Sequence, residues 1–263
     1  LFVGLGILYG AVLIDNPAIV APMINENVPA ATPPIFPLLF VTIACGAISG
    51  FHGLVSSGTT SKQLDKETDA RQVGYLGSVG EGALALVAII AATAGFATFS
   101  EWDAMYTNFG AGGMGAFVQG GAKIASDGLG LSFTFAETLL TVMAVLFAGT
   151  TMDAGVRLQR YIIQEWGTIY NIPILNNGYF ATVVAVSACL VLAFGATPPG
   201  APIGTGGMAI WPLFGTTNQL LAGLTLLVIS TILVKLGRPT RYTLTPMIFV
   251  TTMALASALI QVR

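Results

Sequence analysis

The residues best equipped for chemistry gather between Ser49 and Arg71, in the stretch S-G-F-H-G-L-V-S-S-G-T-T-S-K-Q-L-D-K-E-T-D-A-R. It contains the chain's one histidine, His52, and two hydroxyl pairs, Ser56/Ser57 and Thr59/Thr60, on either side of Gly58. Histidine is the side chain that changes charge near neutral pH, so His52 is a candidate for coupling protons to another process, or else a structural group at a helix end. The hydroxyls with Gly53 and Gly58 could receive an anion through backbone amides at a helix start, or could simply form a turn and an N-cap. A second candidate is Glu137, inside the apolar run 129–150. A carboxylate at that depth costs about 2.5–3.5 kcal/mol, so it needs a partner or a wet cavity. It is read as a proton or substrate-cation site, with a structural carboxyl bonded to a neighbouring helix as the alternative. Asp153 follows at the inner end of the same run, four residues before Arg157, the spacing of a helical ion pair; a gate and a local pair are both open readings. Thr217, Asn218 and Gln219 open another apolar run, where two amides suit a substrate carboxylate or amide as well as capping and interhelical hydrogen bonds. H-E-x-x-H, G-x-S-x-G and P-loop signatures are missing from the sequence, so no enzyme is expected, and no cofactor or metal.

The elements that must position these groups follow from composition. Charged residues make up 8% of the 263, hydrophobic residues 54%, and mean hydropathy is +0.81. Soluble domains carry about 25% charge. So little charge cannot cover a water-exposed surface but suits a chain solvated by lipid. A net charge of −2 leaves no basic footprint for nucleic acid. A bilayer core needs roughly 20 apolar residues in a helix. Residues 1–14 form the end of one such run; full-length runs are 35–51, 82–99, 129–150, 178–196, 217–236 and 243–260. They are too long and too uniformly apolar for barrel strands, so they are helices. Lys and Arg fall as 0, 3, 1, 2, 0 and 3 in the successive connections, which places the second, fourth and sixth on the cytoplasmic side.

Between the runs, 15–34 is proline-rich and reads as an irregular external loop. Residues 61–73 read as a short surface helix capped by Ser61, with Glu67 paired to Arg71. Ser78-Val79-Gly80-Glu81 fits a capping box ahead of the next span, which makes Glu81 a helix cap. Residues 108–130 are glycine-rich, and Gly110 to Gly115 spell G-x-G-x-x-G. No strand precedes this motif, so it reads as a flexible or tightly packed external loop and not as a dinucleotide site. Residues 197–216 are broken by Pro and Gly, through Pro212 and Gly215, which argues against a continuous helix there. Apolar irregular backbone of this kind survives at membrane depth only inside protein or along a cavity. Cys45 and Cys189 each lie mid-run and read as small packing residues.

The 49–71 stretch resembles the signature of the carbon starvation protein A family. T-T-M-D-A-G-V-R-L-Q-R-Y-I-I-Q-E from Thr150 and I-W-P-L-F-G-T-T-N-Q-L-L-A from Ile210 agree with it, in the same order. The resemblance implies a bacterial inner-membrane, multi-pass transporter taking up peptides, or pyruvate with protons, when carbon is scarce. It also places this chain in the C-terminal part of a longer protein, whose N-terminal remainder would be its partner in the site. The expected architecture is all-α: a polytopic transmembrane helix bundle of about seven spans with broken helices, a single domain over 1–263, part of an inverted-repeat transporter. Its partners would be the lipid bilayer, a small carboxylate or peptide solute and a coupling proton, with no nucleic acid. The competing class is a membrane sensor or scaffold that does not transport.

Overall fold

The computed structural model of the chain describes residues 2–26, 28, 32–106, 113–197 and 203–261. Among them there is no strand. The helices are α1 (Phe2–Asp15), α2 (Phe40–Ala47), α3 (Gly50–Val55), α4 (Ser61–Gln63), α5 (Asp69–Ala94), α6 (Phe99–Met105), α7 (Gly113–Leu129), α8 (Phe133–Ile169), α9 (Gly178–Gly195), α10 (Trp211–Lys235) and α11 (Arg241–Gln261). A wider π turn, Ser56–Thr60, joins α3 to α4, and another, Ile35–Leu39, leads into α2. Six helical segments are long and apolar enough to cross a bilayer: 35–63, α5, the 37-residue α8, α9, 206–235 and α11. With the shorter apolar α1 they make up the seven spans expected of an all-α polytopic bundle. Large apolar side chains such as Leu13, Ile89, Val145, Val191 and Leu259 point outward, as they do where lipid is the solvent. The chain is a multi-pass membrane protein.

It forms two compact units. The first comprises residues 1–32 and 64–152. Its core is Leu5, Leu8 and Ala11 of α1, Val87 of α5, Val118, Ala122, Ile124 and Ala125 of α7, and Ala136 and Leu140 of α8. Here the sequence expectation for 108–130 is corrected. Gly110 to Gly112 lie outside the described residues, but 113–129 is a helix with a buried face, not a loop. Its glycines explain both the misreading and the fold. A Cβ on Gly120 would overlap the Ala91 carbonyl of α5, and one on Gly128 would crowd Ala11 of α1. Small residues let the three helix backbones touch, and contact at this range is what holds helices together where no hydrophobic drive exists between them. A peripheral cluster of Phe96, Trp102 and Ala116 is pinned by the Trp102 indole N–H, which donates to the Ala92 carbonyl at 3.0 Å.

The second unit comprises residues 33–63 and 153–263. Helix α10 packs along α11 and along the interrupted segment α2–α3, and it buries the largest share of any span. Its contacts are unusually polar. The Thr216 and Ser257 hydroxyls share a buried hydrogen bond of 2.9 Å, and Ser230 and Thr243 share one of 2.7 Å. On the other side, Ile163 of α8 packs on Ala181 and Ala185 of α9. Asn177 caps α9 by accepting from the amides of Tyr179 and Phe180.

Several local expectations change. Helix α8 does not stop at 150 but runs on to Ile169, so most of the anticipated connection 151–177 is helical. Helix α5 starts at Asp69, which puts Ser78 to Glu81 in its interior; Glu81 is exposed there and caps nothing. Ser61 lies inside the continuous helical run 50–63 and caps no helix start; its hydroxyl donates back to the Ser57 carbonyl. Glu67 lies ahead of the first turn of α5, and no Glu67–Arg71 ion pair forms. Finally, α10 starts at Trp211 and includes Pro212 and Gly215. A proline in the first turn lacks an N–H that would have had no partner anyway, so it opens the helix instead of breaking it. The described residues upstream, 203–210, comprise a turn and a short 3₁₀ segment at Gly206–Ile210, while 198–202 lie outside the described residues.

Candidate functional site

The second unit contains a helix interrupted within its apolar length. Helix α2 ends at Ala47; Ile48 (φ −129°, ψ 85°) and Ser49 (φ −99°, ψ 125°) leave helical geometry; α3 resumes at Gly50. Interrupted backbone must be satisfied locally at membrane depth, and here α10 does so. The Asn218 Oδ1 accepts the Phe51 amide N–H at 2.7 Å. Its Nδ2 donates to the Ser49 Oγ at 3.1 Å and to the Cys45 Sγ at 3.0 Å. The neighbouring Gln219 donates from Nε2 to the Ile48 carbonyl at 2.9 Å. Ser49 caps α3, its Oγ facing the His52 amide at 3.5 Å. Gly50 makes this possible: a Cβ there would overlap the Asn218 carbonyl, so only glycine lets α3 lie directly on α10. One turn on, a Cβ at Gly53 would come within 2.8 Å of the Thr225 hydroxyl. Asn218 and Gln219 are both buried, at 4% and 1% exposure.

Of the residues singled out from sequence, Asn218 and Gln219 are therefore brought together with the start of the 49–71 stretch, 167 residues or more apart in the chain. Thr217 is exposed and donates to the Leu213 and Phe214 carbonyls of its own helix. His52 is exposed, its ring edge-on to Phe51. The Ser56 and Ser57 hydroxyls donate to the Gly53 carbonyl at 2.9 and 3.1 Å, and buried Thr59 donates to Val55 at 2.7 Å. Thr60 sits in the same π turn. This segment continues α3 and is not a helix start, so the hydroxyls bond carbonyls of their own helix and the anion cradle of exposed amides is not formed.

Glu137 lies in the second turn of α8 in the first unit, between the core residues Ala136 and Leu140. It is half-buried, and its carboxylate makes no hydrogen bond or ion pair to another described residue. Asp153 is exposed and pairs with Arg157 at 2.7 Å, the spacing expected of neighbours on one helix. Beside it in the second unit, the Lys62 ammonium and the Arg160 guanidinium each stand 5.0 Å from the centre of the Tyr161 ring. In the first unit, Lys123 pairs with Asp127 at 3.0 Å, and this hydrogen bond raises the lysine pKa above its ordinary value. Among the described residues no group of three or more His, Cys, Asp or Glu could hold a metal ion.

Sequence reasoning missed Cys45 and Ser257, and it gave no role to Ser49 and Gly50 within the 49–71 stretch. Cys45 reads as packing, yet its sulfur accepts a hydrogen bond from the Asn218 Nδ2; the signal available was its place four residues before Ser49, one turn along the same face.

Comparison with known proteins supplies the context for this geometry. The family model described as carbon starvation protein CstA matches residues 1–108 and 97–257. The peptide transporter CstA of Campylobacter jejuni is 35% identical, over 91% of this chain and 41% of the relative. The peptide transporter CstA of Helicobacter pylori is 32% identical, over 89% of this chain and 41% of the relative. The pyruvate/proton symporter BtsT of Escherichia coli is 28% identical, over 90% of this chain and 43% of the relative. The chain thus spans about two fifths of the length of the curated relatives it matches. No solved structure matches it significantly. With three sequence segments in order, an interrupted span stitched by α10 and a family match over nearly the whole length, this chain belongs to the carbon starvation protein CstA family.

Proposed function

We propose that the chain is part of a secondary transporter of the bacterial inner membrane, moving a small carboxylate-bearing solute, either short peptides or pyruvate, with protons. The observation that carries this reading is the interruption at Ile48–Ser49, held open by Asn218 and Gln219. Transporters place solute and coupling ions at discontinuous helices near the bilayer midplane, between repeats of opposite orientation. Relatives that carry peptides, and one that carries pyruvate with protons, support the solute class. In this reading the N-terminal remainder of the protein completes one transport domain with residues 1–263. Glu137, a half-buried acid without a partner among the described residues, is the proposed proton carrier; His52 and the hydroxyls of 56–60 follow the interruption, and Asp153 marks the end of the apolar part of α8. The alternative is a membrane sensor or scaffold that binds solute without moving it.

Uptake of dipeptides and of pyruvate into sealed vesicles containing the full-length protein, under an imposed pH gradient, is the test. Accumulation that collapses with the gradient is expected. Binding without accumulation would favour the sensor, and accumulation indifferent to the gradient would remove the proton.

The orientation belongs to the same reading. Cysteines introduced beside Lys66 and Arg160 should be shielded from impermeant thiol reagents outside cells, and one at Asp103 should label. Labelling of all three would overturn the assignment.

A further inference from the structure

We infer that the interruption between α2 and α3 binds a small monovalent cation, with the Gln219 Oε1 and the terminal carbonyls of α2 as ligands. Gln219 is 1% exposed; its Nε2 is fixed on the Ile48 carbonyl, so its Oε1 lies beside the break, and that oxygen has no partner. Exchanging the two amide atoms would not help, since it would set oxygen against oxygen at Ile48. A buried acceptor left alone is costly enough to need an explanation.

The surroundings deepen the surplus of acceptors. The last carbonyls of a helix lack intrahelical donors. At α2 the Ala44 carbonyl is served by the Ile48 amide, but the amide that would have served Ala47, that of Phe51, goes to the Asn218 Oδ1. Both protons of the Asn218 Nδ2 are committed to Cys45 and Ser49. The site therefore presents oxygens at the negative end of a helix, while both Asn218 donors point elsewhere. A water could also donate into it, and the salt dependence below separates that occupant from an ion. A cation needs acceptors only. The ligands are neutral, and no acidic cluster adjoins them among the described residues, which disfavours a divalent ion and suits a monovalent one.

The test is the thermal stability of the purified full-length protein in sodium, potassium and choline chloride at equal ionic strength, which needs no transport assay and is independent of the proposed solute. Sodium at about 100 times its dissociation constant should raise the melting temperature by roughly 2 °C over choline, saturably. Gln219→Leu should abolish that difference. A cooperative melting transition of Gln219→Leu in choline shows that the variant is folded, so that its loss of the sodium shift is not misfolding. Equal melting of the wild type in all three salts would overturn the proposal and leave the oxygen to water. A sodium shift that survives in Gln219→Leu would overturn it as well.

Discussion

The two units solve the same problem, holding helices together in lipid, with different balances of glycine contact and polar bonds. In the first, α7 lies between α1 and α5 on glycine and alanine, with backbones in direct contact at Gly120 and Gly128. In the second, α10 reaches its neighbours through Asn218, Gln219, Thr216 and Ser230. Glycine packing is all or nothing, because a single added carbon meets backbone that cannot move aside. Polar stitching is graded, because each bond can be removed separately and its partner left behind. The second unit combines the two: Gly50 brings α3 onto α10, and the polar bonds then hold the central break.

The sharpest way to break the comparison is Gly120→Val. Overpacking against the Ala91 carbonyl should destabilise the protein by about 3 kcal/mol and remove most folded material from the membrane; detergent-solubilised yield and melting temperature at wild-type levels would show that the contact is not rigid. Next is Asn218→Ala, which strands the Phe51 amide and should cost about 1–3 kcal/mol in denaturation measurements. Asn218→Asp keeps the acceptor and should recover most of that loss; if both variants melt alike, the amide bond to Phe51 does not hold the break. Third, Glu137→Gln should lower gradient-driven uptake at least tenfold, about 1.4 kcal/mol, while abundance and solute exchange persist. Unchanged driven uptake would end the proton role, and a structural Glu137 would instead show itself as lost abundance in Glu137→Ala with the glutamine variant tolerated. Smallest is Thr216→Val, which removes one hydroxyl bond to Ser257 and should cost about 0.6 kcal/mol, the mean for such bonds in a membrane. A cost of several kcal/mol would mean that this pair, and not Asn218, anchors α10.

The spans were legible because hydrophobic length is a strong signal, and the interruption was legible as a polar break in it. What hydropathy could not show was where helices continue once they become polar. Residues 61–73 look like a separate surface helix and 78–81 like a capping box ahead of the next span, yet 69–81 are the first turns of α5. The same holds for α8 beyond Met152, where the Asp153–Arg157 pair was foreseen but not the length of helix carrying it. Glycine misled in the other direction. Its low helix propensity, about 1 kcal/mol below alanine, made 113–129 look like a loop, and tertiary contact between small residues outweighed it. At the site, Asn218 and Gln219 stood out by type, but their partners could not be paired across some 170 residues from one sequence, and Gly58 between hydroxyls imitated an anion cradle. Glu137 and His52 stood out by chemistry alone: the first is half-buried in α8, and the second is exposed beside Phe51.

The length of α8 has a consequence for the membrane around it. At 1.5 Å per residue its 37 residues extend about 55 Å, against a hydrocarbon thickness of about 30 Å. Its uninterrupted uncharged stretch after Glu137 ends at Met152, and the remainder carries Asp153, Arg157, Arg160 and Glu165. The excess is therefore a rod that stands in the headgroups and beyond, not extra apolar turns awaiting a thicker bilayer. Hydrophobic mismatch is relieved by tilt or by lipid stretching when the surplus is greasy. Here the surplus is already wettable, so α8 should sit at one fixed depth across membranes of different thickness, and thinner or thicker lipid must adapt to it.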